Sequence, residues 1–176
     1  MEVVLAVGVI SIAVVALLGL LAPTIGSVRH IVDKDKSGHL EGMVRSYIDE
    51  ELTYDTISDD LAGGTTDPNA RHIFYVWQTQ TDALNDDDIV THYQDDLTGY
   101  NSAGPDNVGL PHVVVLSPLT IGNNDYDYGN ADQEGYIPFR VRMYQFEPNT
   151  VGNVATNPAL LTESRLIFDY PPAKLQ

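Results

Sequence analysis

Cysteine is absent from the 176 residues, and cations are scarce: nine Lys and Arg stand against 25 Asp and Glu, for a formal net charge of −16. The missing thiols exclude disulfides, thiolate zinc sites and thiol catalysis. The missing cations argue against nucleic acid as a partner, because so acidic a surface repels phosphate and anionic lipid headgroups alike. It suits a secreted or periplasmic setting, or calcium binding. Catalytic signatures are lacking too. No Gly-x-Ser-x-Gly, no phosphate-binding loop and no His-x-x-x-His spacing links the five histidines His30, His39, His72, His92 and His112. Paired carboxylates are frequent only because Asp is frequent, so a glycosidase has no specific support. The expectation is a protein that is not an enzyme.

Charge of either sign is also missing from Val3 to Ala22, and this stretch is the most informative part of the chain. Twenty such residues in a helix span roughly 30 Å, the thickness of a bilayer's hydrocarbon core. Glu2 stands at its head. A carboxylate there costs about 2.5–3.5 kcal/mol at mid-membrane and less near the interface, so Glu2 reads as functional. A cleavable signal peptide does not fit: nothing basic precedes the core, and the core is too long. As a plain anchor, the cations Arg29, Lys34 and Lys36 on the C-terminal flank would place the rest in the cytoplasm, unless a basic leader precedes residue 1.

The opening Met1-Glu2-Val3-Val4-Leu5-Ala6-Val7-Gly8-Val9-Ile10-Ser11-Ile12-Ala13 resembles the N-terminal helix of type IV pilins and type II secretion pseudopilins. In that family a basic leader ends in Gly, and the mature chain carries Glu at its fifth position before an apolar helix. The resemblance therefore implies a leader and three mature residues upstream of Met1, and a prepilin peptidase that removes the leader. It implies that Glu2 pairs with the N-terminal amine of a neighbouring subunit and sets the register of a helical bundle. Val3, Val4, Leu5, Val9, Ile12 and Leu17 would supply bundle surface. Gly8, Ala13 and Gly19 would permit close helix approach. It covers about 25 residues firmly and the next 30 by architecture.

Beyond Pro23 the pattern turns amphipathic. Ile25, Val28, Val32, Met43, Tyr47 and Leu52 recur at spacings of three and four, predicting a helix to about Leu52 laid on a domain core. Arg29, Asp33, Lys36, Glu41, Arg45 and Asp49 occupy much of the remainder. Residues 55–70, with Asp59-Asp60, Gly63-Gly64 and Asp67-Pro68, read as loop. Strands are expected at His72–Thr79, His112–Leu116, Tyr136–Phe146 and Arg165–Tyr170, the last ended by Pro171-Pro172, with long loops at 80–110 and 118–135. The expected fold is α+β: a long N-terminal helix and an antiparallel sheet of about four strands. Its parts are an apolar segment at 1–23, the amphipathic half of the same helix at 24–55, and a β-rich head at 56–176.

Two segments carry oxygen ligands. Asp33 to Leu40 copies the first eight positions of an EF-hand loop, but position twelve is Val44 rather than a bidentate Glu. The better calcium candidate is Asn123–Gly135, where Asp125, Asp127, Asn130 and Asp132 gather hard oxygens within a loop. Major pseudopilins similarly hold calcium in a loop of their C-terminal sheet. Asp86-Asp87-Asp88 and Asp95-Asp96 read as solvated charge.

The sequence thus favours an inner-membrane subunit, its head in the periplasm or outside the cell, that assembles with its own kind or with other pilin-like subunits into a filament. Two alternatives are a membrane-anchored, extracytoplasmic calcium- or ligand-binding module that does not polymerise, and an anchored enzyme.

Overall fold

A computed structural model describes residues 38–67, 69–80, 89–102, 106–121, 124–128, 135–147 and 149–175. The chain divides into two compact units, residues 1–47 and 48–176. Residues 38–50 are helical (α1), so the predicted helix is present in its described part and ends two residues before Leu52. Gly38 is its first described residue. The buried stripe is Leu40, Val44, Ile48 and Leu52, a ridge of every fourth residue; the expected Met43 and Tyr47 are only half-buried beside it. Arg45 and Glu41 pair on the exposed side at 2.6 Å. No helix of the described residues is long and apolar enough to cross a membrane; the run Val3–Ala22 lies outside them.

The expected loop at 55–70 contains a helix instead. α2 spans Tyr54–Leu61, opened by Thr53, whose hydroxyl accepts from Thr56 N at 3.2 Å. Tyr54, Ile57 and Leu61 form its buried face, a stripe too short to stand out among five exposed or half-exposed polar residues.

Among the described residues the sheet has six strands rather than about four, all antiparallel. β1 (His72–Gln80), β3 (His112–Pro118), β6 (Tyr136–Gln145) and β7 (Arg165–Tyr170) coincide with the four expected runs. β2 (Ile89–Gln94) falls in the expected loop at 80–110, and β8 (Ala173–Leu175) lies beyond the expected end of the last strand. The order is β2-β1-β3-β6-β7, with β8 also on β6. β7 and β8 are one strand in register: Val141 faces Tyr170 and Pro138 faces Ala173. Pro171-Pro172 interrupts rather than ends it, which an edge strand tolerates, and Phe139 N still donates to Pro172 O at 3.1 Å. A separate hairpin pairs β4 (Thr120–Ile121) with β5 (Asn124–Asp125).

Alternation sorts the side chains onto two faces. One carries Phe74, Val76, Val114, Leu116, Ile137, Phe139, Val141 and Met143, all essentially inaccessible, with α2 lying against β1 and β6. The other carries Tyr75, Trp77, Val113 and Val115, covered by Phe146 and by Val151, Val154, Leu160 and Leu161 of the segment after β6. That segment includes the single turn α3, Leu160–Glu163. Burial on both sides explains why Val113 to Leu116 is uniformly apolar instead of alternating.

Candidate functional site

The end of α1 is fastened to the last strand. Lys174 stands opposite Ile137 on the first face, and its Nζ donates to the carbonyls of Ile48 at 3.0 Å and Asp49 at 2.6 Å. Last-turn carbonyls have no partners within a helix, and a cation suits the negative end of the helix dipole. Lys174 is the one lysine among the described residues.

The second construction is the described part of the predicted cation loop. β3 stops at Pro118 opposite Phe139, which leaves Tyr136–Pro138 without a strand on that side. Tyrosine hydroxyls fill the gap. Tyr128 donates to Pro138 O at 2.7 Å and accepts from Leu119 N at 2.6 Å, and its side chain is buried. Tyr126 donates to Tyr136 O. The two rings meet edge to face at 4.9 Å. Asp127, between them, is exposed. Asp125 is placed by backbone pairing with Thr120, while Asn130 and Asp132 lie outside the described residues. Among the described residues no three His, Asp or Glu side chains converge on a metal position.

Glu2, Val3, Val4, Leu5, Gly8, Val9, Ile12, Ala13, Leu17 and Gly19 also lie outside the described residues. Of the EF-hand-like segment, Gly38 to Leu40 is helical, and Val44 is fully buried at the position where a calcium loop needs a carboxylate.

No known family, curated protein or solved structure matches this chain.

One site was not foreseen from sequence. An open groove of about 500 Å³ runs past Thr56, Asp60, Asn69, Arg71, His72 and Asp95. In it Asp60 Oδ2 meets His72 Nδ1 at 2.6 Å, joining α2 to β1. A His–Asp pair is half of an acid–base dyad, but here the second ring nitrogen points the wrong way. His72 Nε2 is buried without a hydrogen-bond partner, so a substrate in the groove does not reach it. The pair therefore reads as a tie between elements. Its partners are twelve residues apart and belong to no motif, so only the fold reveals it.

Two further groups are shifted by their surroundings. Burial of His112 on the first face disfavours its charged form and lowers its pKa to about 4. On the opposite face a bidentate bond from Arg140, at 2.7 and 2.6 Å, holds the Asp169 carboxyl below the usual range.

Proposed function

We propose that the chain is a pilin- or pseudopilin-like subunit of a type IV pilus- or type II secretion-like filament. Val3–Ala22 hold the subunit in the inner membrane before assembly and then enter the filament's helical bundle, where Glu2 sets register. The observation that supports the reading is the junction downstream of that run: α1 ends fastened by Lys174 to the last strand of an antiparallel head. Such a junction suits a subunit whose helix and head must travel together. The test is Glu2→Ala in the full chain. Membrane insertion should persist, and incorporation into filaments with neighbouring subunits should be lost. Unchanged incorporation overturns the register role.

A second reading, an anchored calcium-binding module, draws on the two tyrosines that fix the backbone on either side of Asp127. Calcium titration of the full chain, and of Asp125→Asn/Asp127→Asn, decides it. Affinity lost on substitution supports the module, and no affinity in the parent removes it.

A further inference from the structure

β1 outruns one of its neighbours. Tyr75 faces Gln94, the last residue of β2, and the chain then turns away, with Asp96 Oδ1 accepting from Thr98 N at 2.8 Å. On its other edge β1 stays paired with β3 back to His72. Backbone groups alternate between the two edges of a strand. Thr79 has Val90 of β2 on one side and Asn107 on the other. On the Asn107 side Gln78 O accepts from Val108 N at 2.9 Å and Gln80 N donates to Asp106 O at 2.7 Å. The even residues of β1 therefore bond on the β3 edge and the odd ones on the β2 edge. Ile73 is odd. Its N–H and C=O point past the end of β2, where no described residue pairs with them.

This short open edge lines the groove, whose volume of about 500 Å³ lies within the roughly 300–1,000 Å³ of small-ligand pockets. The groove's charges are ordered along the edge. Asp95 stands where β2 leaves and Arg71 stands just before β1 begins, and neither side chain has a partner among the described residues. The other carboxylate, Asp60, is engaged by His72 at 2.6 Å. An open strand edge is a template for an extended chain, and charged groups at its two ends can capture chain termini. A chain that continues the direction of β2 starts at Asp95 and ends at Arg71. Its ammonium then meets a carboxylate and its carboxylate meets a guanidinium. The reverse direction puts like charges together at both ends.

We propose that this groove binds a short peptide of about three residues, both termini free, laid antiparallel to β1. Its middle residue exchanges two hydrogen bonds with Ile73, each N–H donating to the other's C=O. That residue's side chain shares the second face with Ile73 and meets Ala155 of the covering segment, which favours a small apolar group. Asp95 holds the ammonium and Arg71 the carboxylate. All of these residues belong to the unit 48–176, and the site stands independently of the filament reading.

Calorimetric titration of the full chain in detergent micelles with the tripeptide Ala-Val-Ala tests it. Saturable binding is expected, with amide exchange slowed at Ile73 and unchanged at Ile89 on the outer edge of β2. Acetylating the peptide's amine or amidating its carboxylate should each weaken binding at least about threefold. In Arg71→Gln the free acid and the amide should bind alike, and in Asp95→Asn the free and acetylated amines should bind alike. Each variant should keep the preference at the other end, which reports an intact groove. No saturable binding by the parent, or binding without protection of Ile73, overturns the site. A doubly blocked peptide that binds as tightly as the free one overturns the proposal in favour of an internal strand of a larger protein. Preferences that persist unchanged in both variants overturn the roles of Arg71 and Asp95.

Discussion

The two faces of the sheet are built on different chemistry. The first is closed almost entirely by aliphatic and aromatic carbon, from Phe74 and Phe139 to Met143, and its buried histidine, His112, is kept neutral. The second is closed by a covering segment that depends on a polar anchor. The Tyr75 hydroxyl accepts from Val154 N at 2.6 Å and donates to Asn153 Oδ1 at 3.2 Å. Burial pushes the Tyr75 hydroxyl pKa up, so it remains the neutral donor that this bond needs. The first face is held by area and shape, and the second also by bond geometry.

Substitutions should separate the two faces by size of effect. Phe139→Ala leaves a cavity in the first face and should cost about 3–5 kcal/mol, read as a lowered denaturant midpoint with little change in slope. A small effect would mean that this face collapses to fill the space. The pH dependence of the same face comes next. His112 is neutral when folded down to about pH 4, whereas the unfolded chain takes up a proton below about 6.5. Stability is therefore unaffected above 6.5, falls as pH drops from 6.5 toward 4, and levels off below. The loss is up to about 3 kcal/mol. His112→Leu should flatten that window in a pH series of thermal melts.

On the second face Tyr75→Phe keeps the ring and removes the anchor, leaving Val154 N–H buried and unbonded. A cost of about 1–3 kcal/mol is expected, with faster amide exchange at Val154 ahead of the strands. Exchange that accelerated equally on both faces would dissolve the distinction. The smallest effect belongs to the Arg140–Asp169 pair at the same face's surface. Asp169→Asn should cost less than about 1 kcal/mol and still less in high salt. Since the Asp169 pKa is lowered, its contribution is present at neutral pH and is lost only in acid, as pH falls through that lowered value.

The same contrast explains what was legible in the sequence. β1, β3 and β6 are legible because strands inside a doubly covered sheet are rich in apolar residues, as Val113 to Leu116 show, and the edge strand β7 is legible from the run Leu166-Ile167-Phe168. β2 was hidden because an edge strand with Ile89 and Val90 exposed carries only a faint signal between runs of Asp. β8 was hidden by the prolines before it, whose effect on pairing depends on whether the strand is an edge. α2 offers three buried positions among aspartates, and the shifted stripe of α1 became clear only once burial was known. At the candidate site, the sequence singles out Asp127 as one of four expected cation ligands. The tyrosine hydroxyls that position it, the Asp60–His72 tie and the Lys174 fastening were not foreseen. Each joins residues that no periodicity brings together.

Trp77 gives the second face an optical use. It is the single tryptophan of the chain, 3% exposed, stacked on His92 with ring centroids 5.2 Å apart and met edge-on by Tyr100 at 6.1 Å. Its emission therefore comes from the second face, beside His92 of β2 and Tyr100 of the turn after it, and carries no signal from the face under α2. A red shift preceding the loss of circular dichroism would mark that face opening while the sheet persists. Coincident transitions would mark one cooperative unit. The molecule carries its own unlabelled probe for one of its two halves.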